Sequence, residues 1–188
     1  MSPSPSRRLA ARLAIGLLAG AALSAQAADP SAWCDALFPA ADVAAVVGAE
    51  RASGVARRAS GVVPEDARHC SRIYSIGDDR FSDELVFMVS PARDAAGAVA
   101  TVDRMARETG VRRFGLSRPE GLGAAAVHFR QPDPLASHRM EFNVSFALGD
   151  RVVELRYFNV DDAKLNKFIQ ASSELEAIAR RIVERGLP

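Results

Sequence analysis

The segment RMEFNVSFALGDRVVELRYF, residues 139–158, decides how the rest of the chain must fold. Met140, Phe142, Val144, Phe146 and Leu148 alternate with Glu141, Asn143, Ser145 and Ala147. That is the period-2 pattern of a strand with one buried face. Gly149-Asp150 is a two-residue loop of the kind that favours a primed hairpin turn. With this loop the register pairs Phe146 with Val153, Val144 with Leu155 and Phe142 with Tyr157, so the apolar sets share a face. A slip of one residue would place them on opposite faces, which makes the register specific.

The other face of the hairpin pairs Asn143 with Arg156 and Ser145 with Glu154, and Glu141 extends the row. An antiparallel sheet can leave one face to water, and the row then reads as a solvated surface. The functional reading makes Glu141, Asn143, Glu154 and Arg156 a binding face bordered by a loop at residues 131–137. Arg156 is its anchor there, because arginine is enriched at interface hot spots.

Beyond the hairpin, residues 161–185 read as helix. Ser173 and Glu176 fit a capping box, which predicts that the main helix starts afresh at Ser173. Leu175, Ile178, Ala179, Ile182 and Val183 form an apolar stripe suited to the apolar face of the hairpin. Upstream, residues 28–39 read as an entry segment and 39–47 as a short helix, with Pro39 at its start and Gly48 past its end. Strands are predicted at residues 70–76 and 125–130, with a short one beginning at Phe114. Residues 85–89 are apolar on both faces and predict a central strand covered on both sides. A helix follows from Asp94 to about Thr109, with Ala96, Val99, Val102, Met105 and Ala106 inward. The polar stretch at residues 50–68 reads as a short edge strand around Val55 followed by a loop. Gly121-Leu122-Gly123 lacks the preceding strand and following helix that a dinucleotide-binding loop requires.

Residues 1–27 have the form of a secretory signal peptide. Arg7, Arg8 and Arg12 precede a short apolar run, and Ala25-Gln26-Ala27 offers a small-residue cleavage site. The run is short for a transmembrane helix, so no membrane span is expected after cleavage. The expected mature chain, 28–188, suits a single domain. Three of the 24 basic residues leave with the leader and all 23 acidic residues stay, which leaves a net charge of −2. That balance gives no electrostatic reason to expect nucleic acid as partner.

Cys34 and Cys70 are the two cysteines of a chain bound for an oxidising, periplasmic or extracellular space, where a disulfide is the default. Such a bond stabilises by roughly 2–4 kcal/mol. His69, His128 and His138 lie on separate segments, and the sequence carries neither a Gly-x-Ser-x-Gly elbow nor a His-Glu-x-x-His motif. No catalytic, metal or cofactor site is therefore expected.

Taken in order, several features resemble the DUF3558-type exported proteins of bacterial envelopes. Trp33-Cys34 precedes a helix ending in Val46-Val47-Gly48, and Cys70 is followed by Tyr74. A Gly-Leu-Gly-x-Ala stretch at residues 121–125, the Gly149-Asp150 hairpin and the terminal amphipathic helix complete the set. The resemblance implies a PsbP/Mog1-like α+β layout, an antiparallel sheet with helices packed on it. Lipid anchoring, common in that family, does not carry over, because the signal lacks a lipobox. The expected function is that of an exported, non-enzymatic binding module whose partner is an envelope protein. A small-ligand-binding protein, or an inhibitor or immunity protein of an exported enzyme, is the alternative.

Overall fold

In the computed structural model the hairpin forms as its alternation dictates. The structure describes residues 32–47, 57–58, 68–76, 83–108, 113–133, 136–159 and 165–187. The leader and most of the 50–68 stretch lie outside the described residues. Counting strands and helices in chain order, the hairpin strands are β6 (Ala136–Leu148) and β7 (Arg151–Asn159). They are antiparallel, with Phe146 opposite Val153, Val144 opposite Leu155 and Phe142 opposite Tyr157. Gly149 turns the chain at a φ of 59°, a conformation that costs a glycine little.

The hairpin lies inside a seven-stranded antiparallel sheet. Its remaining strands are β1 (Arg57–Arg58), β2 (Cys70–Ile76), β3 (Asp83–Pro91), β4 (Phe114–Ser117) and β5 (Ala125–Asp133). The order across the sheet is β1-β2-β3-β7-β6-β5-β4. β3 pairs along β7, so the apolar row of the hairpin continues into Leu85, Phe87 and Val89.

Three helices cover that apolar face: α1 (Ala32–Leu37), α2 (Ala40–Val47) and α4 (Leu165–Arg185). Leu175, Ile178, Ala179 and Ile182 of α4 are fully buried in one cluster with Phe142, Val144, Phe146, Val153, Leu155 and Tyr157. The stripe thus meets the face it was matched to. Cys34 of α1 is bonded to Cys70 of β2, with Cα atoms 6.1 Å apart, which ties α1 to the sheet. Beside it the Tyr74 hydroxyl donates to the Phe38 carbonyl at 2.5 Å, and the Phe38 ring stacks on Phe87 at 4.6 Å. Burial, reinforced by Asp35, pushes the Tyr74 phenol up to about 12. Asp42 of α2 receives both Arg181 and Arg185, at 3.3 and 2.6 Å, and so holds α2 against α4.

The opposite face is covered only in part, by α3 (Ala95–Arg107). Asp94 caps it by accepting from Gly97 N at 2.7 Å. Ala98 and Val102 pack against Val127, Phe129, Ala147 and Val152 of β5, β6 and β7.

Several expectations need correcting. The entry segment contains a helix, α1, which the disulfide and the contacts of Leu37 and Phe38 hold in place. The inward stripe of α3 holds at Val99, Val102, Met105 and Ala106, but Ala98 is buried in place of Ala96, which is exposed. β3 is sealed on one face only, since Val86 and Met88 on the other remain half-exposed. α4 runs from Leu165 through Ser173 to Arg185 without restarting, and beyond Ser173 its stripe Leu175, Ile178, Ala179 and Ile182 is buried. The loop at 131–137 is largely strand: β5 continues through Pro132 to Asp133. Proline is tolerated there because the β5–β6 register shifts between Pro132 and Asp133. The Gly-Leu-Gly stretch makes a tight entry to β5. Gly123 has a φ of 63°, a Cβ there would lie 2.0 Å from the Ala147 carbonyl oxygen, and Ala124 N donates to that oxygen at 3.0 Å.

Candidate functional site: a polar cleft beside helix α3

Strand alternation sends Glu141, Asn143 and Ser145 of β6, and Glu154 and Arg156 of β7, to the face that α3 covers in part. Asn143 lies opposite Arg156 and Ser145 opposite Glu154. The solvated-face reading is overturned, for Asn143, Glu141 and Glu154 are only 3, 4 and 9% exposed. α3 lies across one side of the row and leaves a cleft of about 220 Å³ at its C-terminal end. All four candidate residues, Glu141, Asn143, Glu154 and Arg156, line it.

Arg156 sits at the centre. Its Nη2 and Nε donate to Glu154 Oε2 at 2.7 and 3.2 Å, and its Nε is 3.6 Å from Glu141 Oε1. Burial by itself lowers the affinity of this guanidinium for its proton; Glu154 and then Glu141 outweigh it and raise the value above the ordinary one. Gln131, opposite Glu141 in the sheet, donates to Glu141 Oε2 at 2.8 Å. Ser145 Oγ donates to Asn143 Oδ1 at 2.6 Å.

The rim comes from segments whose part in the site no sequence pattern announced. Arg113 lies over the Phe129 ring, 4.1 Å from its centroid. It donates to the Met105 carbonyl, to Glu108 Oε2 at 3.0 Å and to Gln131 Oε1 at 3.5 Å. It thereby links the end of α3 to β5. Gln131 could have been found from sequence had β5 been extended past Pro132; Arg113 carried no signal at all.

Some polar atoms in the cleft are left to solvent. Asn143 Nδ2 and Glu154 Oε1 have no hydrogen-bond partner among the described residues, and neither is sealed from solvent. The cleft therefore presents a donor and an acceptor inward, beside a carboxylate oxygen of Glu141 held only by the longer contact to Arg156.

The remaining candidates lie elsewhere. His128 points to the opposite face, where its Nδ1 is 3.3 Å from Glu176 Oε1 of α4. Burial holds its imidazole below the ordinary value, against the pull of Glu176. Trp33 packs at the edge of the core with the Arg151 guanidinium 5.0 Å from its ring centroid. Among the described residues, no cluster of three or more His, Cys, Asp or Glu could hold a metal ion, and no helix is long and apolar enough to cross a membrane.

No protein-family model matches the chain, and no curated protein matches it. Among solved structures, the fold is similar to that of the extracellular domain of PknH from Mycobacterium tuberculosis. The TM-score is 0.51 at 12% identity, and the match covers 84% of this chain and 97% of that one. At this identity the likeness is one of fold: an α+β domain with helices packed on an antiparallel sheet.

Proposed function

We propose that the chain is an exported, non-enzymatic binding module that engages an envelope protein through the cleft beside α3. The observation that carries the reading is the convergence of Glu141, Asn143, Glu154 and Arg156 on one partly enclosed space. A concave space on which a few polar side chains converge is a reason to look for a ligand. The form of residues 1–27, the Cys34–Cys70 bond and the likeness to an extracellular domain support export to the periplasm. The motif order supports placing the chain with the DUF3558-type proteins.

The test has two parts. Mass spectrometry of protein recovered from the periplasm should find Ala28 as the first residue. Purified wild-type protein should then recover one stoichiometric envelope protein and bind it in calorimetry. Met105→Trp, which fills the cleft from α3, should lose that partner; Leu116→Ser, at an exposed site on β4, should keep it. Equal binding by both variants rejects the cleft as the docking site.

A further inference from the structure

On the reading that the cleft binds a protein partner, we infer that what enters it is a single cationic side chain, lysine or arginine, of that partner. Three observations converge on this assignment. The first is charge: Glu108, Glu141 and Glu154 line the cleft against Arg113 and Arg156, which leaves one net negative charge. A monocation restores neutrality in a partly desolvated space, whereas a carboxylate would add to the imbalance.

The second is size. About 220 Å³ lies below the range of roughly 300–1,000 Å³ usual for pockets that enclose a whole small molecule. It suits one long side chain, whose methylene stem can lie along Met105 while its charged head reaches the polar floor.

The third is the floor itself. Glu154 Oε1 accepts from no described residue, and Glu141 Oε1 is held by Arg156 only at 3.6 Å, so both can accept from an incoming ammonium or guanidinium. Asn143 is 97% buried and lines the cleft with an amide nitrogen that donates to nothing described. It is placed to donate to a backbone carbonyl of the partner. Arg156 already occupies the central position between the two carboxylates. It acts as an internal competitor, shifted aside when the partner's cation arrives.

This competition makes the inference testable with probes. The probes are N-acetyl-lysine-N-methylamide, N-acetyl-arginine-N-methylamide, N-acetyl-glutamate-N-methylamide and, for a free diamine, putrescine. Each is titrated into the mature protein while the side-chain amide resonances of Asn143 are followed by NMR. The lysine and arginine derivatives should shift those resonances and the glutamate derivative should not. Arg156→Gln should tighten the lysine derivative at least fivefold by freeing both carboxylates, and Glu154→Gln should weaken it at least tenfold. Glu108→Gln, at the exposed rim, should weaken it about twofold and serves if Glu154→Gln does not fold.

Binding of the glutamate derivative, a loss of affinity in Arg156→Gln, or no shift with any probe overturns the inference. Tighter binding of putrescine than of either cationic derivative also overturns it, by assigning the cleft to a free diamine. If the inference fails while Met105→Trp still loses the envelope protein, the charge assignment falls and the proposed function stands. If Met105→Trp keeps the protein, the proposed function falls as well.

Discussion

The two faces of the sheet are built from alternate residues of the same strands, yet they carry different work. Toward α1, α2 and α4, β6 and β7 present Phe142, Val144, Phe146, Val153, Leu155 and Tyr157, all fully buried among apolar neighbours. Toward α3 the intervening positions are Glu141, Asn143, Ser145 and Glu154, buried almost as deeply but among polar groups, and Arg156, which is partly exposed. Burying apolar surface stabilises by roughly 25 cal/mol per Å², whereas burying a polar group costs free energy unless it finds partners. The first face therefore holds the fold together. The second carries a polar network in which Glu154 and Glu141 accept from Arg156 and Gln131.

The comparison can be broken at adjacent residues. Phe142→Ala should cost about 3–5 kcal/mol, since a fully buried ring is lost from the apolar side. Asn143→Ala, next in sequence and equally inaccessible, should cost about 1–2 kcal/mol, mainly by leaving the Ser145 hydroxyl without its acceptor. Urea denaturation of the two variants measures both, and equal losses would show that the faces do not differ in this way.

The disulfide sharpens the apolar side. Cys34 and Cys70 are 36 residues apart, and replacing both by alanine should remove roughly 2–4 kcal/mol. Thiol titration of the denatured wild-type protein should find no free thiol. Two reactive thiols per chain would mean that α1 is not fastened to β2.

The smallest effect concerns His128, the titrating group on the apolar side. Burial lowers its pKa from the ordinary 6.5, so the unfolded chain takes up a proton first as the pH falls. Its contribution to stability is therefore present above about pH 6.5 and lost progressively below it. Thermal melts at pH 7.5 and 5.5 should fall further for wild-type protein than for His128→Gln. An equal fall would mean that the imidazole is solvated or already charged in the folded state.

How much of this was legible in the sequence depends on whether the signal was local. The hairpin register was legible because alternation and a two-residue turn are properties of twenty consecutive residues. The stripe of α4 and the cysteine pair were legible for similar reasons: a helical repeat, and a compartment with only two thiols. The membership of Glu141, Asn143, Glu154 and Arg156 in one row followed from the register too.

What alternation cannot state is what lies above a face. Only the tertiary structure decided that α3 crosses the polar row, turning an expected wet surface into a cleft, and that Arg113 closes it from a segment of no evident pattern. The same holds for α1, six residues long, which is held by the disulfide and the core more than by its own propensity. It holds as well for α4, which runs through the local start signal at Ser173 while its stripe beyond it is buried against the sheet. The physical reason is common to all three. Backbone pattern and turn chemistry are set by neighbours in sequence, whereas burial, and with it the energy of a polar group, is set by whichever element packs against it from elsewhere in the chain.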